Sequence, residues 1–226
     1  RSSKKLLVLE GRRLVEDALA RGITPLASAV TPAYVRKNGD PGFPYHVVSE
    51  GIFKRLSHTD SPQGIIAFAP KPWAQLSESL LHEKIIILDG IQDPGNVGTI
   101  VRTAEAFGIG MVIITEGSAS PFSPKAVRAS MGSCLSVKIA TASTSELKHI
   151  PHTLFSLSPY GRLSLSELRS SGRIALCLGR EGTGISPDLM KISQESVRIP
   201  ISGAESLNVA VAAGIAMAYL SGHLGK

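Results

Sequence analysis

Ile85-Ile86-Ile87-Leu88, followed by Asp89-Gly90-Ile91-Gln92-Asp93-Pro94-Gly95 and then Asn96-Val97-Gly98-Thr99-Ile100-Val101-Arg102, decides the fold. The apolar run reads as a strand buried on both faces. Pro and Gly mark a turn, and Thr99 to Phe107 continues with helical spacing. Asn96 and Arg102 stand six apart across this strand-to-helix junction. A junction of that kind delivers polar groups to the carboxyl edge of a sheet, where open α/β folds bind their ligands. Alone, the stretch is equally an Asn in a turn and an Arg on a solvated helix face.

Two later segments repeat the pattern. Leu176-Cys177-Leu178-Gly179-Arg180-Glu181-Gly182-Thr183-Gly184-Ile185-Ser186-Pro187 runs from apolar strand through a glycine turn to a helix start, with Ser186 as N-cap and Pro187 at the first helical position. Val197-Arg198-Ile199-Pro200 leads through Ser206-Leu207-Asn208 into a helical pattern from Val209 to Leu220. Three such segments in order, each bringing Asn, Arg, Glu or Ser to a strand end, argue for one shared site.

These residues resemble the SpoU/TrmH family of RNA ribose methyltransferases, within the SPOUT superfamily. The family's first motif is similar to Asn96 through Arg102 and on to Phe107-Gly108. The second is similar to Gly179, Glu181 and Gly184, and the third to Ile199-Pro200 through Ser206-Leu207-Asn208-Val209. The match covers residues 84 to 221 and departs at Ala210, where many members carry Ser. The resemblance implies S-adenosylmethionine as methyl donor, RNA as substrate, a homodimer, and a C-terminal segment threaded into a trefoil knot. Periodicity shows no knot, and general topology rules would exclude one.

Elsewhere the chain alternates apolar runs with helical patterns. Strands are predicted at 85–88, 111–115, 136–139, 153–157, 174–178 and 196–199, with a Ser-capped helix from Ser123-Pro124 to Ser130. This is the signature of a parallel sheet covered by helices. Residues 1–70 read as a separate small α/β unit. Its strands are Leu6 to Leu9, Leu26 to Val30, Tyr45 to Val48 and Gly64 to Ala69, and its helices are Gly11 to Arg21 and Glu50 to Leu56. Glu10 to Val15 and Ser61 to Gly64 are similar to the RNA-binding domain that many SpoU proteins carry first. Pro70-Lys71-Pro72-Trp73 opens a linker, 71–83, and the catalytic domain is expected over 84–226.

The chain has 226 residues and a net charge of +6. Residues 1–73 hold 11 Lys and Arg against 6 Asp and Glu; the remainder hold 13 against 12. Basic charge therefore gathers in the first third, on Lys4, Lys5, Arg12, Arg13, Lys54 and Arg55, as phosphate binding would require. No apolar stretch has membrane-spanning length and no signal-peptide pattern is present, so the expected location is the cytoplasm. The chain opens on Arg1 rather than Met, so an organelle-targeting segment before it stays open. Cys177, inside an apolar strand, reads as a buried free thiol. His149 and His152 have tolerable spacing for a metal, but no neighbouring Cys or carboxylate completes a site, and no metal is expected.

Methylating a ribose 2′-hydroxyl requires a bound donor, an oriented hydroxyl and help in losing its proton. The resemblance places Arg102 near the acceptor hydroxyl. A guanidinium holds its proton in almost any protein setting, so its expected work is to hold phosphate and stabilise negative charge. Asn96, Ser206 and Asn208 are expected to order the ribose and backbone. Glu181 is expected to fix an Arg or accept a hydroxyl hydrogen bond. The resemblance assigns Gly179, Ile199 and Leu207 to the cofactor slot through their backbone, and Leu178 and Thr115 stand at strand ends beside it. A nucleotide-dependent enzyme is disfavoured by the absence of both G-x-G-x-x-G after the first strand and a G-K-[ST] loop. Two alternatives to a ribosomal RNA methyltransferase stay in view: a transfer RNA 2′-O-methyltransferase, and a non-catalytic RNA-binding protein with a methyltransferase fold. The family resemblance, together with the accessory domain, favours large-subunit ribosomal RNA.

Overall fold

The structure is a computed structural model that describes residues 6–168 and 172–223; Lys4 and Lys5 lie outside the described residues. Its Cα framework divides into two compact units, residues 1–72 with the short segment 122–124, and residues 73–121 with 125–226.

The first unit contains β1 (Leu6–Glu10), α1 (Arg12–Ala20), β2 (Ala27–Val30), α2 (Pro32–Asn38), β3 (His46–Val47), α3 (Glu50–Leu56) and β4 (Ile65–Pro70). Its sheet order is β1-β4-β2-β3, with β4 antiparallel to β1 and β2, and β2 parallel to β3. Leu7, Leu9, Val15, Ala18, Val30, Phe53, Ile65 and Ile66 are its core. The helix α2 is absent from the sequence reading, although its start is written in Thr31-Pro32. The Thr31 hydroxyl accepts from the Tyr34 amide at 3.1 Å, and Pro32 occupies the first turn.

The second unit is a seven-stranded sheet with helices. Its elements are β5 (Lys84–Asp89), α4 (Pro94–Ala106), β6 (Met111–Ile114), α5 (Pro124–Ala129), β7 (Lys138–Thr141), α6 (Thr144–Leu147), β8 (Thr153–Leu157), β9 (Leu163–Ser164), β10 (Ile174–Gly179), α7 (Pro187–Ile192), β11 (Glu195–Arg198) and α8 (Val209–Leu220). The order is β7-β6-β5-β10-β8-β11-β9 and every pair is parallel. The strand interiors are mostly apolar and rich in Ile, Val and Leu, as expected of a parallel sheet covered on both faces. All six predicted strands of this sheet are present, within two residues at their ends. The two-residue β9 is too short to leave a period in the sequence. Ahead of the sheet, Trp73 bridges Ile139 and a 3-10 turn spans Leu76–Leu81.

Register fixes the site edge. Ile114, Leu88, Leu178, Leu157 and Val197 lie level across β6, β5, β10, β8 and β11. From β5 the chain winds outward to β6 and β7, then returns to lay β10 on the other side of β5. The β5/β10 boundary is thus a switch in winding direction, the place where open α/β sheets have their ligand crevice.

Candidate active site

The site is built from the loops that leave β5, β10 and β11 at their carboxyl ends. The first helix begins earlier than the turn residues suggested, at Pro94. Asp93 is its N-cap, accepting from the Asn96 amide at 3.3 Å, so Asn96 lies inside the first helical turn. Lys125 donates to the other Asp93 oxygen at 2.5 Å. Lys125, together with the amides of Gly95 and Asn96, holds the Asp93 carboxyl below its usual range. Gly98 is there for contact, since a Cβ would sit 2.3 Å from the Ala126 carbonyl oxygen of α5.

The second loop is shaped by glycine and by a buried carboxylate. A Cβ on Gly179 would lie 2.2 Å from the Gly184 carbonyl carbon, so the chain can double back there only without a side chain. Arg180 and Gly184 exchange backbone hydrogen bonds and close the turn that displays Glu181. Asp89, only 7% exposed, accepts from the Ser186 amide at 2.6 Å and from the Thr115 hydroxyl at 3.0 Å. That single side chain therefore ties together the ends of β5 and β6 and the loop after β10. Ser186 stands at the N-cap position of α7 as predicted, but its side chain makes no capping hydrogen bond; its amide serves Asp89 instead.

At this crevice three of the predicted residues meet. The Asn96 side-chain amide donates to Glu181 Oε1 at 2.8 Å. The Asn208 amide nitrogen donates to the same oxygen at 3.0 Å and to Asn96 Oδ1 at 3.3 Å. Asn208 Oδ1 caps α8, accepting from Ala210 at 2.9 Å and Val211 at 3.3 Å. One residue thus joins the helix start to the polar cluster. Glu181 has amides for partners here, where the sequence reading allowed an Arg.

Arg102 and Ser206 are not drawn into this cluster. Arg102 is exposed on α4, about 9 Å further along the axis than Asn96. It forms no hydrogen bond or ion pair among the described residues. Ser206 is exposed in the 199–207 loop. Ile199 and Leu207 are half-buried, and their backbone amides make no backbone hydrogen bond among the described residues. Leu178 is buried beneath Gly179. Thr115 is also buried, with its hydroxyl committed to Asp89 and its amide to the Leu88 carbonyl. Asp89, Asp93 and Lys125 were missed as supporting groups. The Asp93-Pro94 pair is a readable helix cap, whereas nothing local marks Asp89 or Lys125.

Comparison with known proteins bears on this geometry. The family model described as the SpoU rRNA Methylase family matches residues 83–218. The chain belongs to that family. Residues 1–67 match the MRM3-like substrate binding domain. The chain is 31% identical to the 23S rRNA guanosine-2′-O-methyltransferase RlmP of Bacillus subtilis, over 98% of this chain and 91% of that protein. It is 30% identical to the 23S rRNA guanosine-2′-O-methyltransferase RlmB of Acinetobacter baylyi, over 78% of this chain and 77% of that one. The crystal structure of an AdoMet-bound rRNA methyltransferase from Sinorhizobium meliloti superposes with a TM-score of 0.87 at 28% identity, covering 100% of this chain and 90% of that one. The matched span 83–218 contains Asn96, Glu181 and Asn208. No helix among the described residues is long and apolar enough to cross a membrane.

Proposed function

We propose that this chain transfers a methyl group from S-adenosylmethionine to a ribose 2′-hydroxyl of ribosomal RNA, with large-subunit RNA the first candidate. The observation that carries the reading is the Asn96–Glu181–Asn208 cluster at the β5/β10 crevice of a SpoU-family chain. The residues beside it fit the donor. The backbone amides of Ile199 and Leu207, two half-buried residues, are assigned to the edge of an adenine or its ribose, and the Gly179 turn admits close backbone approach. Leu178, a buried residue, is assigned to the apolar lining of the slot, and Thr115 to fixing Asp89 through its hydroxyl. When bound, S-adenosylmethionine supplies an electrophilic methyl group.

The chain's own residues do the rest. Glu181 Oε1 is occupied by two amides, while Oε2 has no hydrogen-bond partner among the described residues and is assigned to accept from the acceptor hydroxyl. Asn96 and Asn208 hold that carboxylate still. Ser206 and the Arg102 guanidinium, both exposed, are assigned to the sugar-phosphate backbone. Arg102 stabilises the oxygen as negative charge develops, and the proton leaves late, to water.

Residues 1–70 are assigned to RNA capture, 71–83 to the link and 84–226 to chemistry. Support comes from the match over 1–67 and from exposed Arg13 and Lys54; Arg12 is instead tied to Glu16 at 2.6 Å and to Asn38 at 3.1 Å. We assign a homodimer through α8, because this almost wholly apolar helix leaves Val211 52% exposed. The trefoil knot is supported by β11, which is inserted between the earlier strands β8 and β9 while segment 158–162 crosses its end. The bacterial relatives favour the cytoplasm.

The test is calorimetry of the full chain with S-adenosylmethionine, followed by labelled methyl transfer to unmodified ribosomal RNA transcribed in vitro. Binding together with a 2′-O-methylated nucleoside in the digest is expected. Absence of cofactor binding would favour the non-catalytic reading, and a base-methylated product would overturn the assigned chemistry.

A further inference from the structure

The turn that joins β8 to β9 carries the most exposed large hydrophobic side chain among the described residues, Tyr160, at 87%. The turn beneath it is tightly braced. Ser158 donates its amide to the Val197 carbonyl at 2.8 Å, and its own hydroxyl and carbonyl accept from the amides of Tyr160 at 3.2 Å and Gly161 at 3.1 Å. Arg198 Nη1 donates to the carbonyls of Gly161 and Arg162, both at 2.7 Å. The Arg162 amide donates to Ser196 Oγ at 3.2 Å. Gly161 lies so close to β11 that a Cβ would stand 2.3 Å from the Val197 carbonyl carbon. The backbone that carries the ring is held at this many points, so the turn itself loses little freedom on binding.

Register places the turn beside the site. Leu157 is level with Leu178 on the adjacent strand, so Tyr160 and Glu181 each follow three residues beyond the same sheet edge. Neighbouring strands lie about 4.8 Å apart, so the two turns leave the sheet on adjacent strands at the same edge. Arg162 is 84% exposed, and its one described ion pair, with Glu195, is long at 4.0 Å.

We propose that Tyr160 is a stacking platform for a base of the RNA that flanks the methylated nucleotide, with Arg162 on the adjoining phosphate. This rests on the function proposed above. A protein partner fits less well, because the residues around the ring are Ser158, Pro159, Gly161 and Arg162 rather than a contiguous apolar patch. A base needs one ring face and a nearby cation, and any of the four bases can stack.

The test is filter binding of unmodified ribosomal RNA, transcribed in vitro, to the full-length chain and its variants, with S-adenosylmethionine affinity, molecular mass and melting measured in parallel. Tyr160→Ala should weaken RNA binding about tenfold, as loss of one base stack does. Cofactor affinity, mass and melting should stay at wild-type values, and Tyr160→Phe and Tyr160→Trp should retain RNA affinity. Wild-type RNA affinity in Tyr160→Ala overturns the platform. So does a loss confined to cofactor binding or to the dimer, or a Phe variant as weak as the Ala variant. Failure of the wild-type protein to methylate would count against the proposed reaction alone, since the RNA-affinity comparison still decides Tyr160.

Discussion

Asn208 does two jobs with one side chain, and substitution separates them. Its Oδ1 caps α8 through the amides of Ala210 and Val211, while its nitrogen orders Glu181 and Asn96. In Asn208→Ala both are lost. Removing the cap costs about 1 kcal/mol, and the two exposed side-chain bonds add roughly 0.5 kcal/mol more. For a chain of this size that lowers Tm by about 4 °C. In Asn208→Asp the carboxylate still accepts from both amides and gains about 0.5 kcal/mol from the helix dipole. Against this, repulsion from Glu181 at hydrogen-bonding distance costs about 1 kcal/mol in a water-like dielectric. Its stability should therefore stay within about 1 kcal/mol of wild type, inside the usual spread for exposed substitutions near a cap. Methyl transfer should fall in both. A lost charge-assisted hydrogen bond of about 1.5–3 kcal/mol corresponds to roughly 10- to 100-fold. Thermal denaturation followed by circular dichroism, paired with methyl incorporation, measures the two effects separately. An Asp variant within twofold of wild-type turnover would refute the claim that the Asn208 amide orders the site.

Arg102→Ala should lower kcat by on the order of 100-fold while leaving S-adenosylmethionine affinity within a few-fold; near wild-type turnover would remove Arg102 from the chemistry. Val211→Arg should convert a dimer to monomer by light scattering, and an unchanged mass would place the interface elsewhere. His152, 6% exposed, has its protonated form disfavoured by burial, partly offset by its bond to the His82 carbonyl at 2.9 Å and reinforced by Arg173. Because its folded pKa is depressed, the unfolded chain takes up the proton first. Stability should be flat above about pH 7 and fall below about pH 6.5, by at most about 1.4 kcal/mol per pH unit, until the folded pKa is passed. Urea denaturation at several pH values should show that fall reduced in His152→Gln, and identical profiles would assign it to other groups.

Much of the sheet could be read directly because a parallel sheet writes itself as short apolar runs between glycine turns. The runs at Ile85, Met111, Ile174 and Val197 all became strands. The same grammar located Asn96, Glu181 and Asn208, since each lies in or just after the turn that leads from a strand end towards the next helix. What stayed hidden depends on long-range pairing. Asp89 reaches Ser186 across 97 residues, and Lys125 reaches Asp93 across 32; neither has a local pattern to betray it. The two-residue β9 carries no period. The insertion of β11 between β8 and β9 is a matter of chain path, and hydrophobic periodicity is blind to path. Arg102 shows the opposite limit, because its motif position was plain while its exposed side chain has no described partner to fix its role. Within α4 the Asp93-Pro94 cap was legible, and it would have placed Asn96 inside the helix from the start.

The central claim is ribose methylation of ribosomal RNA by this crevice. The most direct measurement is mass spectrometry of ribosomal RNA from cells carrying the gene, cells lacking it, and cells carrying the Glu181→Ala variant, scoring every 2′-O-methyl nucleotide. One large-subunit site should be methylated with the intact gene, lost without it, and unrestored by the variant. An unchanged set of 2′-O-methyl nucleotides across the three, or full restoration by Glu181→Ala, would contradict it.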